Sequence, residues 1–324
     1  MDQEIAKGAS FSEKVDRLID DQVANWDMAR KNYEGLKDVK IRSVKMGVAT
    51  EMRVQFNPGR IRSSAAKVDA KSIRERKCFL CPENLPTEQE GVSFGDDYLV
   101  LVNPFPIFPR HLTIPHRSHT DQRIKGRIKD MMLLARSLPG FVLFYNGPRC
   151  GASAPDHFHF QAGNKGFLPI EDEYDKHPGK ILLYDQEGLR VHAVDKYFRK
   201  TLVFEGSDRD LIEQGFDKLY LFLDSVQDRD DEPMLNILCS WENGHWRLFF
   251  FPRKEHRPRQ YYAEGDDQIL LSPASVDFGG VLITPREEDF NKLNSDLIAD
   301  IFEQVTLSDG DWENVKKIFV NRYL

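Results

Sequence analysis

Apolar, strand-like runs in this sequence come in neighbouring pairs joined by turn residues, and no other feature limits its fold so closely. The stretch YLVLVNPFPIFPRHLTIP, Tyr98 to Pro115, reads as two short apolar strands joined by a proline-rich turn. GFVLFYN, from Gly140 to Asn146, is a continuous apolar strand, followed by the glycine-rich loop GPRCGASAPD and then the strand HFHFQA. Strands near 234–241 and 245–251 form a third pair. Antiparallel neighbours accept such short links, whereas parallel neighbours need a crossover of about a dozen residues or more. The expected class is therefore α+β, with antiparallel sheets and flanking helices, and not a doubly wound sheet.

Val15, Leu18, Ile19, Val23 and Trp26 recur at helical spacing, which predicts one amphipathic helix over 12–35 that braces the core. Further helices are predicted over 120–137, over 208–226 and after Arg286. MRVQF, Met52 to Phe56, alternates like a strand and stops at the turn Asn57-Pro58-Gly59-Arg60; the polar, basic stretch beyond it reads as a loop. The strand and helix order of the first half is weakly echoed in the second, as a duplicated α+β unit would produce.

With 324 residues, 40% of them hydrophobic and 30% charged, the chain can bury a large core and has the composition of a globular protein. No apolar run approaches the roughly 18 residues that would span a bilayer. The N-terminus lacks the apolar segment of a secretory signal, so a cytoplasmic protein without membrane contact is expected. A net charge of −7 argues against bulk nucleic-acid binding but leaves room for a small anionic ligand in a local basic pocket.

Side chains alternate along a strand, so His157, His159 and Gln161 share one face of HFHFQA while Phe158 and Phe160 share the other. Just upstream, Gly147 and Gly151 let backbone N–H groups approach an oxyanion, Ser153 adds a hydroxyl donor and Arg149 a positive charge. A histidine nucleophile beside such a cradle suits attack on phosphorus. That chemistry needs a neutral imidazole with one nitrogen open and the other held as N–H by an acceptor. Cys78 and Cys81 read equally as a buried pair without metal and as half of a tetrahedral site, which His116 or His119, together with His157, would complete as a closed structural Cys2His2 set. Cys150 and Cys239 read as small buried hydrophobes, and His111 as a structural histidine. FFFPRKEHRPRQYY, residues 249 to 262, reads equally as a contact for a nucleotide or sugar phosphate and as a solvated charged turn.

Taken together and in this order, CFLCPEN, NPFPIFPRHLTIP and GPRCGASAPDHFHFQ resemble the histidine triad superfamily. More narrowly, the chain looks like the branch holding galactose-1-phosphate uridylyltransferase, diadenosine tetraphosphate phosphorylase and GDP-L-galactose phosphorylase. The resemblance implies two histidine-triad-like units: a helical brace over 1–50, a catalytic unit over 51–205, and a second, non-catalytic unit with C-terminal helices over 206–324. By the same resemblance His159 is the nucleotidyl acceptor, Gln161 holds the phosphoryl oxygens, Asn103 lies on the ribose side, and Asn146, Gly151 and Ser153 belong to the phosphate loop. Asn57, Arg60 and Ser64 fall where relatives keep polar and basic groups near the substrate. Cys78, Cys81, His119 and His157 match the ligands of a structural zinc.

The implied activity is transfer of a nucleoside monophosphate, through a covalent nucleotidyl-histidine, from a nucleoside diphosphate sugar or dinucleoside polyphosphate to phosphate or a sugar 1-phosphate. A homodimer is compatible with it. One departure stands out: Asp156 adds a residue between the proline and His157, which motivates an alternative, a catalytically inactive nucleotide-binding regulatory module of the same fold.

Overall fold

The paired strands assemble as their spacing requires. In the computed structural model, which describes residues 9–47, 50–61, 70–186, 188–195 and 197–320, a three-stranded and a ten-stranded sheet share the core. The small sheet holds β1 (Lys40–Gly47), β2 (Thr50–Phe56) and, parallel to β2, a late strand from the C-terminal region. The large sheet begins with the meander β3 (Gly91–Phe94), β4 (Tyr98–Val102) and β5 (His111–Pro115). A helix, Ile128–Ser137, then leads to the hairpin β6 (Phe141–Asn146) and β7 (His159–Asn164).

The same plan repeats with β8 (Lys180–Gln186), β9 (Leu189–Val194), β10 (Thr201–Gly206), the helix Arg209–Gln227, β11 (Leu235–Glu242) and β12 (His245–Pro252). Strand order across the sheet is β3-β4-β5-β7-β6-β11-β12-β10-β9-β8, antiparallel throughout, so two identical five-strand patterns meet at the β6–β11 seam. The boundary expected at 205/206 falls at the end of the second meander and not before it. Its first strand, β8, is an edge strand with Ile181 and Leu182 exposed, so its sequence carries little burial signal. Likewise β1 lies within the expected brace, and the 50/51 boundary cuts the β1–β2 hairpin.

Each face of the large sheet has its own core. Helices 11–25, 27–34, 128–137, 209–227 and 309–320 bury one face, where Phe158, Phe160, Trp246, Leu248 and Phe250 project. On the other face, Phe144, Leu238, Phe249 and Phe251 pack beneath the small sheet and the C-terminal segments. Among the described residues no helix is long and apolar enough to cross a membrane.

Two helix predictions need correction. The helix expected over 12–35 is broken: a Ser10–Glu13 capping box starts it at Phe11, but Trp26 is extended and buried, and a second helix starts at Asp27. In the 120–137 region, only Ile128–Ser137 is helical; residues 120–127 are irregular instead, held by long-range hydrogen bonds. Of the stretch after Arg60, residues 62–69 lie outside the described set, and Ala70–Glu75 forms a short helix.

Candidate active site

Strands β6 and β7 pair as far as Phe144 opposite Gln161 and then part. The end of β6 turns to β11, with Asn146 opposite Asn236, while the start of β7 stays with β5, His159 opposite Pro115. The resulting fork opens into a cavity of about 530 Å³ lined by His159, Gln161, Asn103, Asn146, Gly151, Ala152, Ser153 and Arg60. Alternation puts His159 and Gln161 on the cavity face and Phe158 and Phe160 in the core, as the sequence predicts.

His159 is buried, and its Nδ1 lies 2.9 Å from the carbonyl oxygen of His157. A carbonyl only accepts, so Nδ1 carries the proton and the Nε2 lone pair is left unprotonated. Burial pushes this imidazole down to about 4, which keeps it neutral at physiological pH. Gln161 is set by His111. Because His111 Nδ1 accepts from the Ile107 N–H (3.2 Å), its Nε2–H must be the donor to Gln161 Oε1 at 3.1 Å. The Gln161 NH2 group then faces the cavity. Sequence reading assigned His111 a structural role only; its position four residues after Ile107, in the strand opposite Gln161, gives no local signal of this contact.

Among the described residues the amides of Gly151, Ala152 and Ser153 donate to no protein acceptor, so three consecutive N–H groups stand available in the cavity wall. Gly151 has φ +96°, and a Cβ there would lie 2.6 Å from that of Ala274. Only glycine lets the loop approach the 272–277 segment so closely. Asn146 fixes the start of the loop: its Oδ1 accepts from Asn236 Nδ2 and from Ser275 N–H, both at 2.9 Å. Asn103 donates to Thr113 Oγ1 (2.9 Å) and accepts from Phe105 N–H (2.9 Å).

Other expected residues lie elsewhere. Arg149 points to the surface and pairs with Asp231 at 2.6 Å. Gly147 donates to the Leu235 carbonyl, outside the cavity lining. Asn57 is buried behind the wall, its Nδ2 donating to Pro106 O at 3.4 Å. Ser64 lies outside the described residues. Arg60 does reach the cavity: its Nη1 donates to Phe105 O (2.7 Å) and its buried Nε has no partner among the described residues. Burial lowers this guanidinium to about 10, still charged at neutral pH.

The second half supplies the remaining wall. His256 and Arg257 line the cavity, Arg257 stacking on Tyr261 at 4.0 Å, so part of the 249–262 stretch belongs to the site. Asp277 also lines it, accepting from Ala274 N–H (2.8 Å) and Ile283 N–H (3.3 Å), and burial pushes its carboxyl up to about 7. It sits just before β13 (Val281–Thr284), the strand that joins β2 in the small sheet. An acid inside the apolar run SVDFGGVLIT was the available sequence signal. Cys150 and Cys239 are fully buried, with burial pushing both thiols up.

Beside the active strand Cys78, Cys81, His119 and His157 bring their ligand atoms within 4.8 Å of one another. The Cys81 sulfur is 3.2 Å from His119 Nδ1, and the Cys78 sulfur 3.3 Å from His157 Nδ1. A tetrahedral zinc with two sulfur and two nitrogen ligands places such pairs about 3.6 Å apart, so the donor set fits. His157 Nε2 is 2.6 Å from the His116 carbonyl, so its N–H donates there and leaves Nδ1 for the metal. His116 contributes this carbonyl and not its ring. The additional residue Asp156 is absorbed on the metal side: it pairs with Arg76 and lies 3.9 Å from His119 Nε2. His159 still faces the cavity.

A family described as a domain of unknown function (DUF4922) matches residues 18–164, and one described as "GDPGP1-like, C-terminal domain" matches residues 173–323. The yeast Ap4A phosphorylase Apa2 superposes over 94% of this chain and 97% of its own, with a TM-score of 0.61 at 19% identity. Its complex with Ap4A gives 0.62 at 21% identity over 91% and 97%. The likeness to Apa2 is one of fold. A GalT-like protein from Arabidopsis thaliana has a TM-score of 0.37 at 14% identity over 83% and 99%. No curated protein sequence matches.

A further cavity of about 390 Å³ lies in the second half of the chain, lined by Arg190, Glu205, Glu242 and Arg247. There Arg190 is paired with Asp185, and Arg247 with Asp175 and Glu205, so neither cation is left for an anion.

Proposed function

We propose that the chain is a nucleotidyltransferase or phosphorylase that moves a nucleoside monophosphate through a covalent intermediate on His159. One observation carries the reading: a neutral imidazole with Nε2 unprotonated shares a cavity with three unpartnered amides in a glycine loop. The Nε2 lone pair attacks the α-phosphorus, forming the N–P bond as the P–O bond to the leaving group breaks. The leaving group, a sugar 1-phosphate from a nucleoside diphosphate sugar or a nucleoside polyphosphate from a dinucleoside polyphosphate, takes the electron pair. No proton has to leave His159, since Nδ1–H stays on the His157 carbonyl and shares the positive charge that develops. The amides of 151–153, Ser153 and the Gln161 NH2 group lie where they stabilise the phosphoryl oxygens. In the second step an acceptor phosphate oxygen attacks phosphorus and the N–P bond breaks, restoring the imidazole.

The donor is a nucleoside diphosphate sugar or dinucleoside polyphosphate, and the acceptor phosphate or a sugar 1-phosphate. Supporting this are the cavity volume, which suits a nucleotide, the cations Arg60 and Arg257 in its wall, and the likeness to Apa2, described with AMP and with Ap4A. A zinc ion on Cys78, Cys81, His119 and His157 would be structural, a closed shell bracing the start of β7.

Incubation of the wild type with radiolabelled donor should give an acid-labile, base-stable protein adduct that His159→Ala abolishes. A panel of UDP-, GDP- and ADP-sugars and diadenosine tetraphosphate, with phosphate as acceptor, reports reaction class and base through the nucleoside diphosphate released. No adduct with any of these donors overturns the reading.

A further inference from the structure

Continuing the β6–β7 register past Phe144 and Gln161 would set Tyr145 opposite Phe160 and Asn146 opposite His159, but the fork leaves these positions without their mutual ladder bonds. The side chain of Gln122 occupies the gap. Its Nε2 donates to the carbonyls of Asn146 and His159, both at 3.0 Å, and its Oε1 accepts from the His159 N–H at 2.8 Å. One primary amide thus satisfies three backbone groups on two diverging strands. Only 1% of Gln122 is exposed, and its own backbone is pinned, its N–H donating to Pro155 O (3.1 Å) and its carbonyl accepting from Tyr145 Oη (3.2 Å).

We infer that Gln122 is a positioning residue, a side-chain strut that sets the span between His159 on one arm of the fork and the phosphate loop on the other. This rests on the reading of His159 as the nucleotidyl acceptor. The imidazole is held by its Nδ1 contact to His157 O and by its backbone; the loop starts at Asn146, the other residue Gln122 grips. No shorter or charged side chain does the same work. Asparagine lacks the reach, glutamate would set an acceptor against two carbonyl oxygens, and methionine would leave three buried backbone groups unpaired. The strut touches no substrate position, so its loss misaligns attack without removing a binding contact.

The test measures Gln122→Met and Gln122→Glu beside wild type, at a temperature where each variant is folded. Adduct formation at saturating donor should slow by about 100-fold, with the donor KM changed by less than roughly threefold. A rate within about threefold of wild type in either folded variant overturns the proposal, as does insolubility of both variants, which would assign Gln122 to folding alone. Should wild type itself form no adduct, the functional reading falls separately. Hydrogen exchange then decides the strut: the His159 amide should exchange at least about tenfold faster in Gln122→Met while Ala162, deeper in β7, is unchanged, and equal exchange at His159 overturns the strut.

Discussion

The Nε2–H of His111 donates to Oε1 of Gln161 across 3.1 Å, and this contact decides which end of the glutamine amide faces the cavity. Burial pushes His111 down to about 3, so the ring stays neutral and its donor nitrogen fixed. Replacing it with His111→Phe keeps the ring volume and removes the nearer donor, leaving Gln161 Oε1 only the longer contact from Asn103 Nδ2 at 3.5 Å and the amide freer to turn. We expect kcat to fall on the order of 10- to 100-fold with little change in donor KM. Steady-state kinetics on His111→Phe and wild type checks this; an unchanged kcat would show that the orientation of Gln161 is irrelevant.

Arg257 and Arg149 give a second comparison. Arg257→Met should raise the donor KM roughly 10- to 100-fold, through the loss of a partly buried cation that meets phosphate. Arg149→Met, on the surface beside Asp231, should change KM by less than about twofold. The reverse ranking would return the anion site to the position the loop sequence suggests.

The Cys78–Cys81–His119–His157 cluster predicts about one zinc per chain in elemental analysis of the purified protein. Cys81→Ser should lose that metal and unfold at a Tm lower by at least about 5 °C. Wild-type protein purified without metal, and insensitive to added zinc, would contradict the assignment.

Glu232 predicts a pH effect on stability. It is buried, accepting from Ile124 N–H (2.8 Å) and Tyr145 Oη (2.9 Å), and burial pushes its carboxyl from 4.5 up to about 8. Between these values the folded chain keeps a proton that the unfolded chain has lost. Its stabilising contribution is complete below about pH 4.5 and is lost as pH rises through about 8, at up to ~1.4 kcal/mol per pH unit. Glu232→Gln should flatten the decline in Tm between about pH 5 and pH 8, and parallel curves would refute the claim.

Where a residue's environment is local, the sequence revealed it. The hairpin pairs, the alternation of His159 and Gln161 against Phe158 and Phe160, and the glycine loop all follow from neighbours along the chain. So does most of the metal cluster, although choosing His119 over His116 needed coordinates, because both rings lie within reach in PHRSH. What escaped depends on distant contacts. Gln122 reads as part of a helix until its amide is seen bridging two strands, and Asp277 reads as an acid in an apolar run until β13 docks beside β2. Edge strands such as β8, with one side in water, lack the pattern that marks central ones.

Trp26 and Ile283 border the same cavity, and β13 closes the small sheet by pairing with β2. During biosynthesis, then, His159 emerges long before the pocket around it exists. Asp277 and β13 must clear the ribosome before the cavity wall is complete, so a truncated or stalled chain would carry His159 without the enclosure the full chain gives it.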